Sequence, residues 1–298
     1  MSKTIDYIEP IRISEHVTYF YWGRHPDHPV IDMRLGGGGL AVHRGKQAIL
    51  VDTMNVPEEA VWMREYLSKK CGVREFRVIN THWHADHIGG NAACLGDPII
   101  AHRRTRELMI KHAEALEAGT LWSHPPIPVV PPGFTIEDRA DLWLGDYRVE
   151  VHRFEIHEEG HLAVYLPAER LLLAGDMLED PLWALNLRFA SPELQLAEYE
   201  RMKQMDIERI VPVHSTRETI LAGGYDKRII DANAAYLRGM LAAADEPDFL
   251  TRPAADFIRN EIQRGVLTWW EPYTEVHEYN KAAVSRAAGK MADRTRKR

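Results

Sequence analysis

Residues 82–87 read His-Trp-His-Ala-Asp-His, and no other stretch constrains the chain as tightly. The hexapeptide begins where the apolar run 76–81 stops, a run that reads as a β-strand. Side chains alternate along an extended strand, so His82 and His84 point the same way. A turn into a helix then lets Asp86 and His87 face the same hollow from the other side. Gly89 and Gly90 follow, where backbone can approach closely. Imidazole nitrogen and carboxylate oxygen are the ligands that borderline divalent ions prefer, zinc first. A merely polar turn is the alternative, and a cluster this dense argues against it.

Short β-type runs alternate with amphipathic helices around this motif. Strands are expected at 16–22, 40–43, 47–52, 98–101, 147–156 and 209–213. Hairpins are expected to turn at Arg44-Gly45 and again between Pro167 and Arg170, within 162–173. Helices are expected from Pro57 to Gly72, over 88–95, from a Ser191 N-cap with Pro192 at its first position, and over 226–241. Strands followed by a helix, twice over, call for two packed sheets with helices outside each. The composition shifts after Asp245, where Pro247 and Pro253 interrupt the chain. We therefore expect a main domain over 1–246 and a C-terminal extension over 247–298 packed on it. Residues 119–135 hold five prolines and Trp122 without a clear period, which predicts a loop of the kind that often forms a functional lid.

Composition narrows the partners. A net charge of −7 over 298 residues gives no basic field for nucleic acid or anionic membrane, and the basic stretch 290–298 reads as a solvated tail. Cys71 and Cys94 are too few for a disulfide scaffold. The first ten residues show no signal-peptide pattern, and no run approaches the ~18 apolar residues of a membrane span. The expectation is a cytoplasmic protein acting on a small molecule, with a homo-oligomer left open.

The hexapeptide has the form HxHxDH, and the chain resembles the metallo-β-lactamase fold superfamily over about residues 16–241. The later motifs fall in the expected order: Asp52 ending AILVD, His157 in IHEEGH, Asp176 in LLLAGD, and His214 in IVPVHS. Two small departures are the Glu-Glu-Gly after His157 and Val213 where a glycine is commoner. The resemblance implies an α/β, four-layer αββα sandwich with two divalent ions at its edge, zinc first and iron or manganese as alternatives. It assigns His82, His84 and His157 to one ion and Asp86, His87 and His214 to the other. Asp176 spans both, and Asp86 and Asp176 serve as the catalytic carboxylates. Asp52 braces the metal loop without binding metal. Hydroxide shared by the ions would then cleave an ester, lactone or thioester, as in the glyoxalase II and lactonase members. Phosphodiesterase or β-lactamase chemistry at the same ions is the first alternative. A mononuclear iron oxidoreductase of the persulfide dioxygenase type, using His82, His157 and Asp176, is the second. His84, where redox members typically carry a carboxylate, speaks against the latter.

The remaining candidates are read as structural. His161 is expected to make a structural hydrogen bond, and His25, His28, His102, His124 and His277 stand alone. The glycines at 36–39 precede a strand and not a helix, so they form a strand entry and not a phosphate cradle. Trp122, Trp183, Asn186 and Phe189 either line the pocket or fill the core. Trp269, Trp270 and Tyr273 are expected to anchor the extension or bury a subunit contact.

Overall fold

The computed structural model describes residues 5–23, 36–122, 124–271 and 273–296, the last stretch as backbone only beyond residue 287. His25 and His28 lie outside the described residues. Strands β1 (Ile8–Arg12), β2 (Val17–Trp22), β3 (Gly37–Arg44) and β4 (Gln47–Val51) form an antiparallel meander. Helix α1 (Pro57–Tyr66) carries the chain over to β5 (Glu75–Ile79), which lies parallel to β4. After the short helix α2 (Ala85–Ile88) come β6 (Ile99–His102), α3 (Arg103–Lys111), α4 (Ala113–Glu117) and β7 (Phe134–Ile136). Among the described residues the first sheet runs in the order β1-β2-β3-β4-β5-β6-β7.

The second sheet begins with β8 (Arg139–Leu144), β9 (Tyr147–Phe154), β10 (His161–Leu166) and β11 (Leu171–Gly175), all antiparallel. Helix α5 (Pro192–Gln204) then crosses to β12 (Arg209–Pro212), which pairs parallel with β11. Ser191 caps α5 as expected, its hydroxyl accepting from the Leu194 amide at 3.2 Å. Four more helices follow among the described residues: α6 (Arg217–Leu221), α7 (Arg228–Ala243), α8 (Ala255–Gln263) and α9 (Tyr273–Arg296). No helix among the described residues is long and apolar enough to cross a membrane.

The period of two along the strands builds the layers. In β4, Ile49 and Val51 face the second sheet, while Ala48 and Leu50 face α1 with Met63 and Leu67. In β11, Leu171 and Leu173 face the first sheet, while Leu172 and Ala174 pack with Tyr199 of α5 and Leu237 of α7. Each sheet thus has two apolar faces, one against the other sheet and one against helices, which is the four-layer αββα sandwich the sequence implied.

Several details differ from the sequence reading. The first hairpin turns at Gly45-Lys46, one residue later than expected. The expected helix at 88–95 is split between α2 and a single 3-10 turn, Asn91–Cys94. Helices α3 and α4 and strands β1 and β8 occupy stretches for which the sequence reading offered nothing, and β7 begins at Phe134, inside the end of the loop expected over 119–135. The segments after residue 246 are fastened to the main sandwich. Asp180 accepts from the Thr268 amide at 2.6 Å, and Asn280 of α9 accepts from the Leu185 amide at 2.7 Å while donating to the Trp183 carbonyl at 2.9 Å. Trp183 is fully buried between Tyr199 and Tyr236, so core packing is its role.

Candidate metal centre

The C-terminal ends of β5, β9, β11 and β12 open on one edge of the sandwich, and each delivers part of the site. Past β5 the chain bends over 81–83 and enters α2 after an extended His84, so that Asp86 and His87 turn back toward His82. That tight path requires glycine behind it: a Cβ on Gly89 would lie 1.9 Å from the Asn55 carbonyl, and one on Gly90 would lie 2.2 Å from that of Thr53. His157 sits in the β9–β10 connection, Asp176 directly follows β11, and His214 lies just beyond β12.

The seven residues fall into two groups whose potential ligand atoms lie within 4.8 Å of one another: His82, His84, His157 and Asp176, and Asp86, His87, Asp176 and His214. In the first, His84 Nδ1 is 3.2 Å from His157 Nε2, and His82 and His157 Nε2 each stand 3.7 Å from Asp176 Oδ2. In the second, His87 Nε2 lies 3.1 Å and His214 Nε2 3.5 Å from the same oxygen. Asp86 Oδ2 lies 3.4 Å from His87 Nε2 and 3.3 Å from His214 Nε2. A tetrahedral zinc ion about 2.0–2.1 Å from its nitrogen ligands separates them by about 3.3 Å, so these spacings match the edges of a coordination shell. His82 Nε2, His87 Nε2 and Asp176 Oδ1 are moreover buried without a hydrogen-bond partner. Buried polar atoms are almost always satisfied, and a cation in each group, with Asp176 common to both, would satisfy all three. The donor set fits the two-ion group.

Each imidazole is held by its other nitrogen. His87 Nδ1 donates to Asp52 at 2.8 Å, and His82 Nδ1 donates to the Thr81 hydroxyl at 3.0 Å, which itself donates to Asp52 at 2.8 Å. His157 Nδ1 donates to the Ala184 carbonyl at 3.1 Å, and His214 Nδ1 to the Gly36 carbonyl at 2.8 Å. His84 Nε2 lies 3.5 Å from Glu158 Oε1. Such partners fix the tautomer and aim the ring. Asp52 therefore braces as expected, steering two histidines and also accepting from the Thr81 amide at 2.7 Å.

The charges respond to this crowding. Burial, reinforced by neighbouring imidazoles, pushes His82 well below the ordinary histidine range and His157 down to about 4. Burial works the same way on His87 and His214, yet Asp176 and Asp86 prevail and hold both well above that range. Burial also opposes the ionisation of Asp86 and Asp176, but His87 and His214 hold both carboxyls well below the usual carboxylate range. The second group collects positive charge around two carboxylates, a demand that a divalent cation meets in place of protons.

Among the set-aside residues, His161 is buried, stacks on His82 with centroids 4.5 Å apart, and accepts from the Asp176 amide at 3.4 Å. His102 caps α3 through Nδ1, and His277 is bound by Tyr236 and the Arg252 carbonyl. The glycine run lies mostly inside β3, where a Cβ on Gly37 would meet Trp22 and His214. Trp122, Asn186 and His124 line the cavity in front of the cluster, as does Tyr273, for which an anchoring role was expected; Phe189 is not among its lining residues. Sequence reasoning missed Glu158 and Glu179, which also line it. Glu158 accepts from Trp83 Nε1 at 3.1 Å and Asn186 Nδ2 at 2.6 Å, and Glu179 accepts from the Tyr273 hydroxyl at 3.3 Å. The Glu-Glu-Gly departure after His157 was the one visible trace of Glu158.

A two-sheet sandwich with paired histidine and carboxylate groups at its strand ends defines a class of metal-site proteins. The chain belongs to the metallo-beta-lactamase superfamily, whose family model matches residues 40–214. It is 30% identical over 142 residues to a hydroxyacylglutathione hydrolase of Mesorhizobium japonicum, a match covering 47% of each chain. The chain thus spans about half the length of that relative. It is 24% identical over 214 residues to a beta-lactamase-like protein 2 homolog of Caenorhabditis elegans, covering 71% of this chain and 65% of the other. Among solved structures, a metallo-beta-lactamase from Pontibacter korlensis superposes with a TM-score of 0.60 at 20% identity, over 78% of this chain and 99% of that one. At that identity the likeness concerns the fold.

Proposed function

We propose that this chain is a metallo-hydrolase that cleaves an ester, lactone or thioester bond in a small molecule. Its metal ligands are His82, His84 and His157 for one ion and Asp86, His87 and His214 for the other, with Asp176 shared. The observation that carries the reading is the pair of four-residue groups meeting at one carboxylate, at coordination spacing and with buried unpartnered nitrogens facing inward. Two divalent ions held there, zinc first, would supply an acidified water and a Lewis acid for the carbonyl oxygen. The chain's own part is orientation and proton handling. Asp86 is the more open of the two carboxylates to the cavity, its side chain 21% exposed against 5% for Asp176, and is placed to accept a proton from the attacking water. Asp176, walled in by the four imidazoles of His82, His87, His157 and His214, keeps the two halves in register. Residues 1–246 form the catalytic domain in this reading, and 247–298 an extension that helps enclose the cavity. The relatives' name, hydroxyacylglutathione hydrolase, supports an acyl-transfer substrate over a phosphodiester.

The test is metal analysis of purified protein coupled to a panel of lactones, thioesters, phosphodiesters and β-lactams. The expected result is two divalent ions per chain and metal-dependent turnover of carbonyl substrates, abolished in H84A. Fewer than one ion per chain, or unchanged turnover in H84A, contradicts it.

A further inference from the structure

The cavity in front of the paired groups has a volume of about 690 Å³, room for far more than a scissile bond. One part of its lining is an aromatic stack. The Trp83 ring lies nearly parallel to His112 with centroids 4.8 Å apart, and Trp122 packs 4.8 Å from Trp83 and 4.6 Å from His84. This stack therefore begins at a metal-group imidazole and leads outward. From α9 the same cavity is lined by Tyr273, Val276 and Tyr279, one face of the helix at i, i+3 and i+6. Trp122 is 46% and Tyr279 48% exposed, two large rings left open to water beside a well-filled core. Open rings around a concavity signal an apolar ligand.

Two carboxylates of the lining are already engaged, Glu158 by Trp83 and Asn186 and Glu179 by Tyr273, while His124 Nε2 is buried without a hydrogen-bond partner and the charged Arg188 and Glu275 are exposed. Helix α9 lies outside the segment that the superfamily match covers, so this half of the lining belongs to this chain's own C-terminal extension.

We propose that the substrate carries an uncharged aryl or medium-length alkyl group, seated between the Trp83–Trp122 stack and the Tyr273–Tyr279 face of α9. The inference rests on the hydrolase reading above and names its substrate class. In the reaction, water adds across the acyl bond, the carbonyl carbon–sulfur or carbon–oxygen bond breaks, and the products are a carboxylic acid and a protonated thiol or alcohol.

The experiment uses the full-length metal-loaded protein and two series of acyl thioesters from two to ten carbons. One series carries N-acetylcysteamine, an uncharged thiol, and the other glutathione, which bears two carboxylates. Burying a methylene is worth about fourfold in binding, so kcat/KM should climb two- to fourfold per added methylene until the cavity is filled. The uncharged series should be turned over at least tenfold better at matched length. In W122A and in Tyr279→Ser the slope should fall below twofold per methylene, with metal content and circular dichroism unchanged as the check on folding. Turnover with a flat chain-length dependence, or a preference for the glutathione series, overturns the apolar slot and leaves the hydrolase reading standing. Absence of turnover for both series in protein holding two ions overturns the slot, and it contradicts the hydrolase reading as well if the lactones and esters tested beside them are also left intact.

Discussion

Replacing Asp52 by alanine should unsettle the molecule in two separable ways. The carboxylate is fully buried and accepts from the Thr81 amide at 2.7 Å, the Thr81 hydroxyl at 2.8 Å and His87 Nδ1 at 2.8 Å. Its removal strands three buried donors, each costing about 1–3 kcal/mol. The variant no longer has to desolvate a carboxylate, which offsets part of that loss. Breaking a buried charged network by deleting one partner typically costs about 3–5 kcal/mol, and we expect that range here. Against a total stability of about 5–15 kcal/mol this is a large fraction. At about 2–4 °C per kcal/mol for a chain of this size, the metal-free protein should melt on the order of 10 °C lower. The second effect is on metal. Asp52 steers His87 directly and His82 through Thr81, one imidazole in each group, so both ions should bind about 10–100-fold more weakly. Thermal melts of metal-free protein read the first effect, and chelator competition reads the second. Asp52→Asn, which keeps one acceptor oxygen, should fall between. A metal-free D52A protein melting within 2 °C of wild type, with both metal affinities intact, would refute the bracing argument.

Three further outcomes follow from the same geometry. In Glu158→Ala, His84 loses the carboxylate 3.5 Å from its Nε2, so only one phase of a chelator titration should shift, by about tenfold or more, while the other stays; a uniform shift of both phases would count against that assignment. Gly89→Ala should fail to accumulate as folded protein or melt well below wild type, because its Cβ has 1.9 Å to the Asn55 carbonyl, whereas Gly133→Ala, with nothing within 4 Å, should be near neutral by the same melt. Arg217 holds the Glu9 carboxyl below its usual range through two contacts of 2.6 Å between α6 and β1. A lowered folded-state value means stability that is present above about pH 4.5 and lost as pH falls through the lowered value. Wild type and Glu9→Gln should therefore differ slightly in melting temperature at pH 6 and draw together as pH falls below about 4.5, and a gap that widens on acidification would be the wrong sign.

How much could be read before the fold was known varies with the kind of signal. Residues 82–87 announce themselves because four of the seven residues in the paired groups, His82, His84, Asp86 and His87, lie in one short, chemically dense stretch. Uninterrupted apolar runs such as Ala48 to Val51 and Leu171 to Ala174 dictate strands buried on both faces, and Ser191-Pro192 marks a helix start that the structure keeps. His157, Asp176 and His214 are different: each is one polar residue after an apolar strand, and only the order of motifs in a known family singled them out. Helix α3 escaped notice because its cap is His102, outside the usual Ser, Thr, Asp and Asn, and because few of its residues are apolar. Strand β1 carries Pro10 at the sheet's edge, and β8 is an edge strand with mostly exposed or half-buried side chains. Strand β1 leaves no clean periodic trace, whereas β8 alternates Ala140, Leu142 and Leu144 inward with Arg139, Asp141 and Trp143 outward, a short period of two that passed unread. The cavity roles of Glu158 and Glu179 escaped for another reason. They come from meeting Trp83 and Asn186, 75 and 28 residues from Glu158, and Tyr273, 94 residues from Glu179, and no local pattern encodes such meetings.

In the proposed centre one carboxylate, Asp176, joins two cation sites. Anomalous-scattering maps from crystals of protein purified with zinc, recorded on either side of the zinc absorption edge, decide this. Two peaks about 3.5–4 Å apart are expected, one against His82, His84 and His157 and the other against Asp86, His87 and His214, with Asp176 beside both. A map without peaks there, or with a single peak that leaves His87 and His214 unliganded, would contradict it.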